Sequence, residues 1–106
     1  MGKAVKMLSG QKKEQFSALV KQCIDLYLTK NIDFYGYCHV IDVNMSEDLK
    51  TAFIYISYPV EKNGKKLENN IVSDNKEIVA IFNDHFRSKF IPKLRFIFIK
   101  ECDVEL

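Results

Sequence analysis

Apolar positions in the first third of the chain recur at the spacing of a helix. From Lys12 to Thr29, the residues Phe16, Leu19, Val20, Cys23 and Tyr27 lie three or four apart, which stacks them on one side. Ile24 and Leu28 widen that stripe, while Lys13, Lys21 and Asp25 point away from it. Ser9-Gly10 suits the helix entry and Lys30-Asn31 its exit.

The period then changes. Two runs, Tyr37 to Asn44 and Lys50 to Tyr58, are rich in β-branched and aromatic residues and are bounded by turn chemistry. In the second, Ala52, Ile54, Ile56 and Tyr58 fall on one face and Thr51, Phe53, Tyr55 and Ser57 on the other. The polar turn Met45-Ser-Glu-Asp-Leu49 between the runs predicts an antiparallel pair. Pro59, which cannot donate to a ladder, ends the second strand. Lys62 to Lys66 reads as a loop in which Asn63-Gly64 suits positive φ.

Lys65 to Ser73 has room for a short helix. Asp74 is an expected N-cap, with Glu77 three residues on as its capping-box partner. From there Ile78, Ile81, Phe82, His85 and Phe86 form an amphipathic stripe that ends near Phe90, before Pro92. The last run, Leu94 to Ile99, alternates little and reads as a strand buried on much of both faces. A strand, a helical crossover and a further strand make a right-handed parallel unit. The expected fold is therefore α+β, with a three-stranded mixed sheet covered by helices on one face.

Composition adds scale. With 106 residues, 47% of them hydrophobic, the chain suits one domain with one core. No stretch approaches the roughly 20 apolar residues of a membrane span, and the start has no signal-peptide pattern. A soluble cytoplasmic protein is the expectation. Cys23, Cys38 and Cys102 are far apart and form no Cys-x-x-Cys pair, so they read as reduced thiols acting as small hydrophobes.

Net charge is +2, but its distribution matters more. Residues 1–30 hold six lysines against Glu14 and Asp25, and residues 87–100 hold Arg87, Lys89, Lys93, Arg95 and Lys100 with no acid. The stretch 31–60 and the residues after Lys100 are acidic. If the two basic segments meet after folding, they make a surface for a polyanion; otherwise they are solvated helix faces.

Catalysis finds little support. Cys38 and His39 adjoin, but neighbouring side chains on a strand point to opposite faces and do not pair. His85 fits a core-edge position. Asp42, Glu47 and Asp48 flank an exposed turn, where turn-forming is their expected role. There is no glycine-rich phosphate loop and no histidine motif for a metal. Phe53 and Tyr55 share a sheet face of the kind on which RNA-binding sheets stack bases. The pattern does not say whether that face is the open or the covered one.

Two stretches resemble the ribosome-binding factor A family. Val40-Ile-Asp-Val-Asn-Met-Ser-Glu-Asp-Leu-Lys-Thr-Ala-Phe-Ile-Tyr-Ile-Ser57 is similar to that family's first hairpin, with Ser-x-Asp-Leu followed by a strand of the form Ala-x-Val-Tyr-Val-Ser. Phe90-Ile-Pro-Lys-Leu-Arg-Phe96 is similar to its Val-Pro-x-Leu-x-Phe entry to the last strand. With the opening helix and the element order, the resemblance covers roughly residues 10–100.

The resemblance implies a KH-like domain of the second type, α-β-β-α-kink-α-β, over residues 11–101, between a flexible basic arm (1–10) and a short acidic tail (102–106). It also implies a monomer without catalytic residues, cofactor, metal or small-molecule substrate. Its implied partner is the small ribosomal subunit and its 16S rRNA, in 30S maturation, rRNA processing and cold adaptation. The family marks the kink with Ala-x-Gly, and at the matching place this chain has Asp74-Asn75-Lys76. Asp74 there would repel phosphate. The expected RNA contacts are Lys12 and Lys13 on the first helix, with Arg87, Lys89, Lys93 and Arg95 toward the end of the chain. Outside the family, the same architecture suits a protein-docking module.

Overall fold

The computed structural model describes residues 9–85 and 91–101, with side chains from residue 13. The basic arm up to residue 8 and the tail with Cys102 lie outside the described residues. The elements run α1 (Ser9–Lys30), α2 (Ile32–Tyr35), β1 (His39–Met45), β2 (Thr51–Tyr58), α3 (Gly64–Ser73), α4 (Asn75–His85) and β3 (Lys93–Lys100). This is the expected order, with one extra helical turn.

The α1 stripe does what its spacing predicts. Val20, Cys23, Ile24, Tyr27 and Leu28 are buried, and Phe16 and Leu19 pack at the margin. Burying each large apolar side chain contributes roughly 1.5–3 kcal/mol. Lys21 and Asp25 stay outside the core as an ion pair of 2.9 Å one turn apart. α1 ends at Lys30-Asn31 as expected, but a second short helix follows before the first strand. Tyr35 is fully buried, and reaching that position takes the single turn of α2. Gly36, at φ +63, ends it in a conformation that favours glycine.

β1 and β2 are antiparallel, and β2 and β3 are parallel, in the order β1-β2-β3. The register pairs Val43 with Ile54 and Met45 with Ala52, so apolar side chains line one face under α1 and the α3–α4 crossover. A bulge between Val40 and Asp42 leaves Ile41 unpaired. The turn after β1 is held by Asp48, whose carboxylate accepts from the Ser46 hydroxyl at 2.7 Å and the Lys50 N–H at 3.1 Å. Those bonds hold the Asp48 carboxyl below its usual range. Asp48 is thus a turn residue, as expected.

Three local expectations are corrected. β3 is not buried on both faces: Lys93, Arg95 and Ile97 are exposed and alternate with half-buried Leu94, Phe96 and Phe98, because β3 is an edge strand. Asn63-Gly64 needs no positive φ. Asn63 caps α3 by accepting the Lys66 N–H at 3.2 Å. Gly64 is required for closeness, since a Cβ there would lie 2.6 Å from the Tyr58 hydroxyl. Asp74 does not form a capping box with Glu77. It ends α3, and both carboxylates are turned to α1 and its exit, as described below.

Candidate nucleic-acid interface

A single non-helical residue, Asp74 at φ −89 and ψ 27, separates α3 from α4. On one side of this kink, a groove of about 320 Å³ runs between the two helices and β3. Its helix wall is Ile71, Val72, Asn75 and Val79, and its strand wall includes Ile91, Pro92, Lys93 and Phe96. Val72 is 61% exposed, an apolar residue at a position where an amphipathic helix ordinarily carries a polar one. Lys93, which is exposed, is the cation among the lining residues. An apolar trough with a cation in its wall suits a chain of bases and phosphates.

On the other side of the kink, the polar groups form a buried relay. Asn70 Nδ2 donates to the Tyr35 hydroxyl at 2.8 Å. The two tyrosine hydroxyls are 2.8 Å apart, and the Tyr27 hydroxyl donates to Asp74 Oδ2 at 2.5 Å. Since Tyr27 commits its one proton to the carboxylate, Tyr35 donates to Tyr27. Asn31 Nδ2 adds bonds to the Tyr27 carbonyl at 2.9 Å and to Glu77 Oε2 at 3.3 Å. Burial, then the bond to Asp74, pushes the Tyr27 hydroxyl far above its ordinary pKa. The relay ties α1, α2, α3 and α4 together at the kink.

This placement changes the reading of Asp74. Its carboxylate is half-buried and aimed at the fully buried Tyr27, rather than standing free at the kink. The kink persists without glycine because side-chain bonds fix it.

The expected contact residues divide. Lys13 reaches the β1–β2 turn and pairs with Glu47 at 3.0 Å. Lys93 starts β3, and its N–H donates to the carbonyl of Lys50 in the same turn. Lys13 and Lys93, 80 residues apart in sequence, therefore attach to one end of the sheet. Arg95 lies two residues on, exposed and in register with Phe53. The side chain of Lys12, and all of Arg87 and Lys89, lie outside the described residues. Sequence reasoning passes over the groove residues Val72 and Val79, whose signal is an apolar side chain off the core stripe.

The thiols and imidazoles take structural places. Cys23 and Cys38 are buried, and burial pushes both thiols up to about 11. His39 is exposed while Cys38 is not, and its Nδ1 lies 3.3 Å from the Tyr37 carbonyl. His85 Nδ1 lies 3.0 Å from the Ile81 carbonyl, at the core edge. Among the described residues, no three His, Cys, Asp or Glu side chains gather as metal ligands, and no helix is long and apolar enough to cross a membrane.

No protein-family model matches the chain, and no curated protein matches it. Solved structures do. The crystal structure of ribosome-binding factor A from Thermus thermophilus is 17% identical, with a TM-score of 0.68 over 80% of this chain and 93% of that one. A solution structure of a Thermotoga maritima protein, named as a candidate ribosome binding factor A, is 16% identical, with a TM-score of 0.51 over 92% of each chain. The chain shares the α+β, KH-like fold of these proteins, and the resemblance read from its hairpin and last strand is matched in three dimensions.

Proposed function

We propose that this protein binds the RNA of the small ribosomal subunit and assists its maturation, including processing of 16S rRNA, without chemistry of its own. The observation that carries the reading is the coincidence of fold and groove. The architecture is that of Thermus ribosome-binding factor A over nearly its whole length, and the apolar trough opens beside the kink, with Lys93 in its wall. Lys13, Lys93 and Arg95 supply phosphate contacts, joined by Lys12, Arg87 and Lys89. Each contact to single-stranded RNA adds about −0.7 to the slope of log affinity against log salt. The protein works as a monomer in the cytoplasm, on assembling particles.

The test is co-sedimentation with small subunits on sucrose gradients. Replacing Lys12, Lys13, Arg87 and Lys89 with Glu is expected to release the protein from the subunit peak while circular dichroism and urea midpoint stay near wild type. Unchanged co-sedimentation rejects the proposal. A protein-docking module is the second reading, favoured by exposed Ile32, Phe34 and Tyr37 around α2. Association that ignores both ionic strength and ribonuclease would establish it instead.

A further inference from the structure

The groove uses only one side of β3, while on the other side of the sheet Phe53, Arg95 and Ile97 are exposed, Thr51 and Tyr55 half-buried and Ser57, at the far end, buried. Ala52, Ile54 and Ile56 face the core, which turns Phe53 and Tyr55 to the opposite face. Phe53 is 36% exposed. The register places chemistry around it in rows. Asn44, Phe53 and Arg95 stand side by side across the three strands, and in the next row Asp42, Tyr55 and Ile97 do the same. Two residues before Phe53 on the same face, Thr51 pairs with Lys93.

We infer that this open sheet face is a second binding surface for single-stranded RNA, on which Phe53 and Tyr55 stack bases while Lys93 and Arg95 hold the phosphates. The inference rests on the RNA-binding function proposed above and extends it to a surface separate from the groove. Aromatic rings on an open face, a guanidinium and an ammonium along the edge strand, and a side-chain amide beside the first ring are the parts such a surface needs. Charge favours a polyanion as the occupant. Lys93 and Arg95 occupy the β3 edge, and the acid in these rows, Asp42, sits on the far strand with its carboxylate accepting the Val43 N–H at 2.9 Å. Lys93 borders both the groove and this face, so one RNA strand passing around the β3 edge can engage both.

The experiment is a titration of the full chain into a short, fluorescein-labelled, single-stranded oligoribonucleotide of mixed sequence, followed by anisotropy. Phe53→Leu and Tyr55→Leu keep apolar bulk and remove the ring faces. Each is expected to weaken binding roughly tenfold. Phe53→Tyr is expected to retain it, and Arg95→Ala to lower the salt slope by about 0.7. Urea midpoints within the range of the wild type show that the loss is not unfolding; if a leucine variant is unstable, Arg95→Ala at its exposed position carries the test, and an unchanged salt slope overturns the inference. Wild-type binding that the two leucine variants leave unchanged overturns this inference and leaves the groove reading standing. Failure of the wild type to bind any oligoribonucleotide overturns both. Leucine variants that lose particle association which ribonuclease leaves intact would assign the face to a protein, and the RNA inference falls.

Discussion

At the scale of the residue, the relay through Tyr35, Tyr27 and Asp74 is the feature with the most at stake. Removing the Tyr27 hydroxyl leaves a half-buried carboxylate without its short bond and the Tyr35 proton without an acceptor. An unsatisfied buried group costs about 1–3 kcal/mol, so Tyr27→Phe is expected to lower the urea-derived stability by that amount. Asp74→Asn, which keeps an acceptor oxygen, should cost less. The buried thiols set a pH limit. Cys23 and Cys38 have their pKa raised from 9.0 to about 11 by burial, so below pH 9 folded and unfolded chains bind the same thiol protons. Between about 9 and 11 the unfolded chain releases protons that the folded one keeps. Stability therefore falls as pH rises through that window, by roughly 1.4 kcal/mol per unit per thiol. Urea midpoints taken across the window check this, and a Cys23→Ala, Cys38→Ala double variant should flatten the slope. Tyr27 and Tyr35, also raised from 10.0, leave a residual slope at the alkaline end.

At the scale of the element, α3 shows how a local rule yields to packing. Alanine is ordinarily the better helix residue by about 1 kcal/mol. At position 64 its Cβ would press on the Tyr58 ring, which is held edge-to-face against Phe98 at 6.2 Å. Gly64→Ala is thus expected to destabilise by about 1–3 kcal/mol, measured by thermal or urea unfolding. The same contest explains what is legible in the sequence. α1, both hairpin strands, the crossover and the parallel last strand follow from period and punctuation, because burial there obeys the local pattern. α2 is not legible, since its one turn is imposed by the burial of Tyr35. The burial of β3 is misread because a run so rich in apolar residues looks the same at the centre of a sheet as at its edge. The kink falls where the pattern puts it, but its carboxylate is matched to a neighbour in sequence when its partner, Tyr27, is 47 residues away. Of the candidate site, the cations are legible as charge; the groove is not, because it exists only between elements.

At the scale of the whole molecule, the question is which charges are free to meet a partner. Lys13 is already paired with Glu47, whose side chain is 95% exposed, and such pairs contribute about 0–1 kcal/mol. Lys13→Glu should therefore leave the unfolding midpoint nearly unchanged, so any loss of particle binding reports the lost contact; salt-dependent sedimentation separates the two. The sheet's two flanks carry a further consequence. A bare strand edge offers its peptide groups to any passing chain, and stacked copies of such edges grow into fibres. Here one rim is interrupted at Ile41, where the ladder skips a residue, and the other is studded with Lys93, Arg95 and Lys100, which set like charges against like if two copies approach rim to rim. The cations proposed above to hold a nucleic acid also set charge against charge between copies of the free protein. Exchanging them for valine should leave a chain that folds, then gels on concentration.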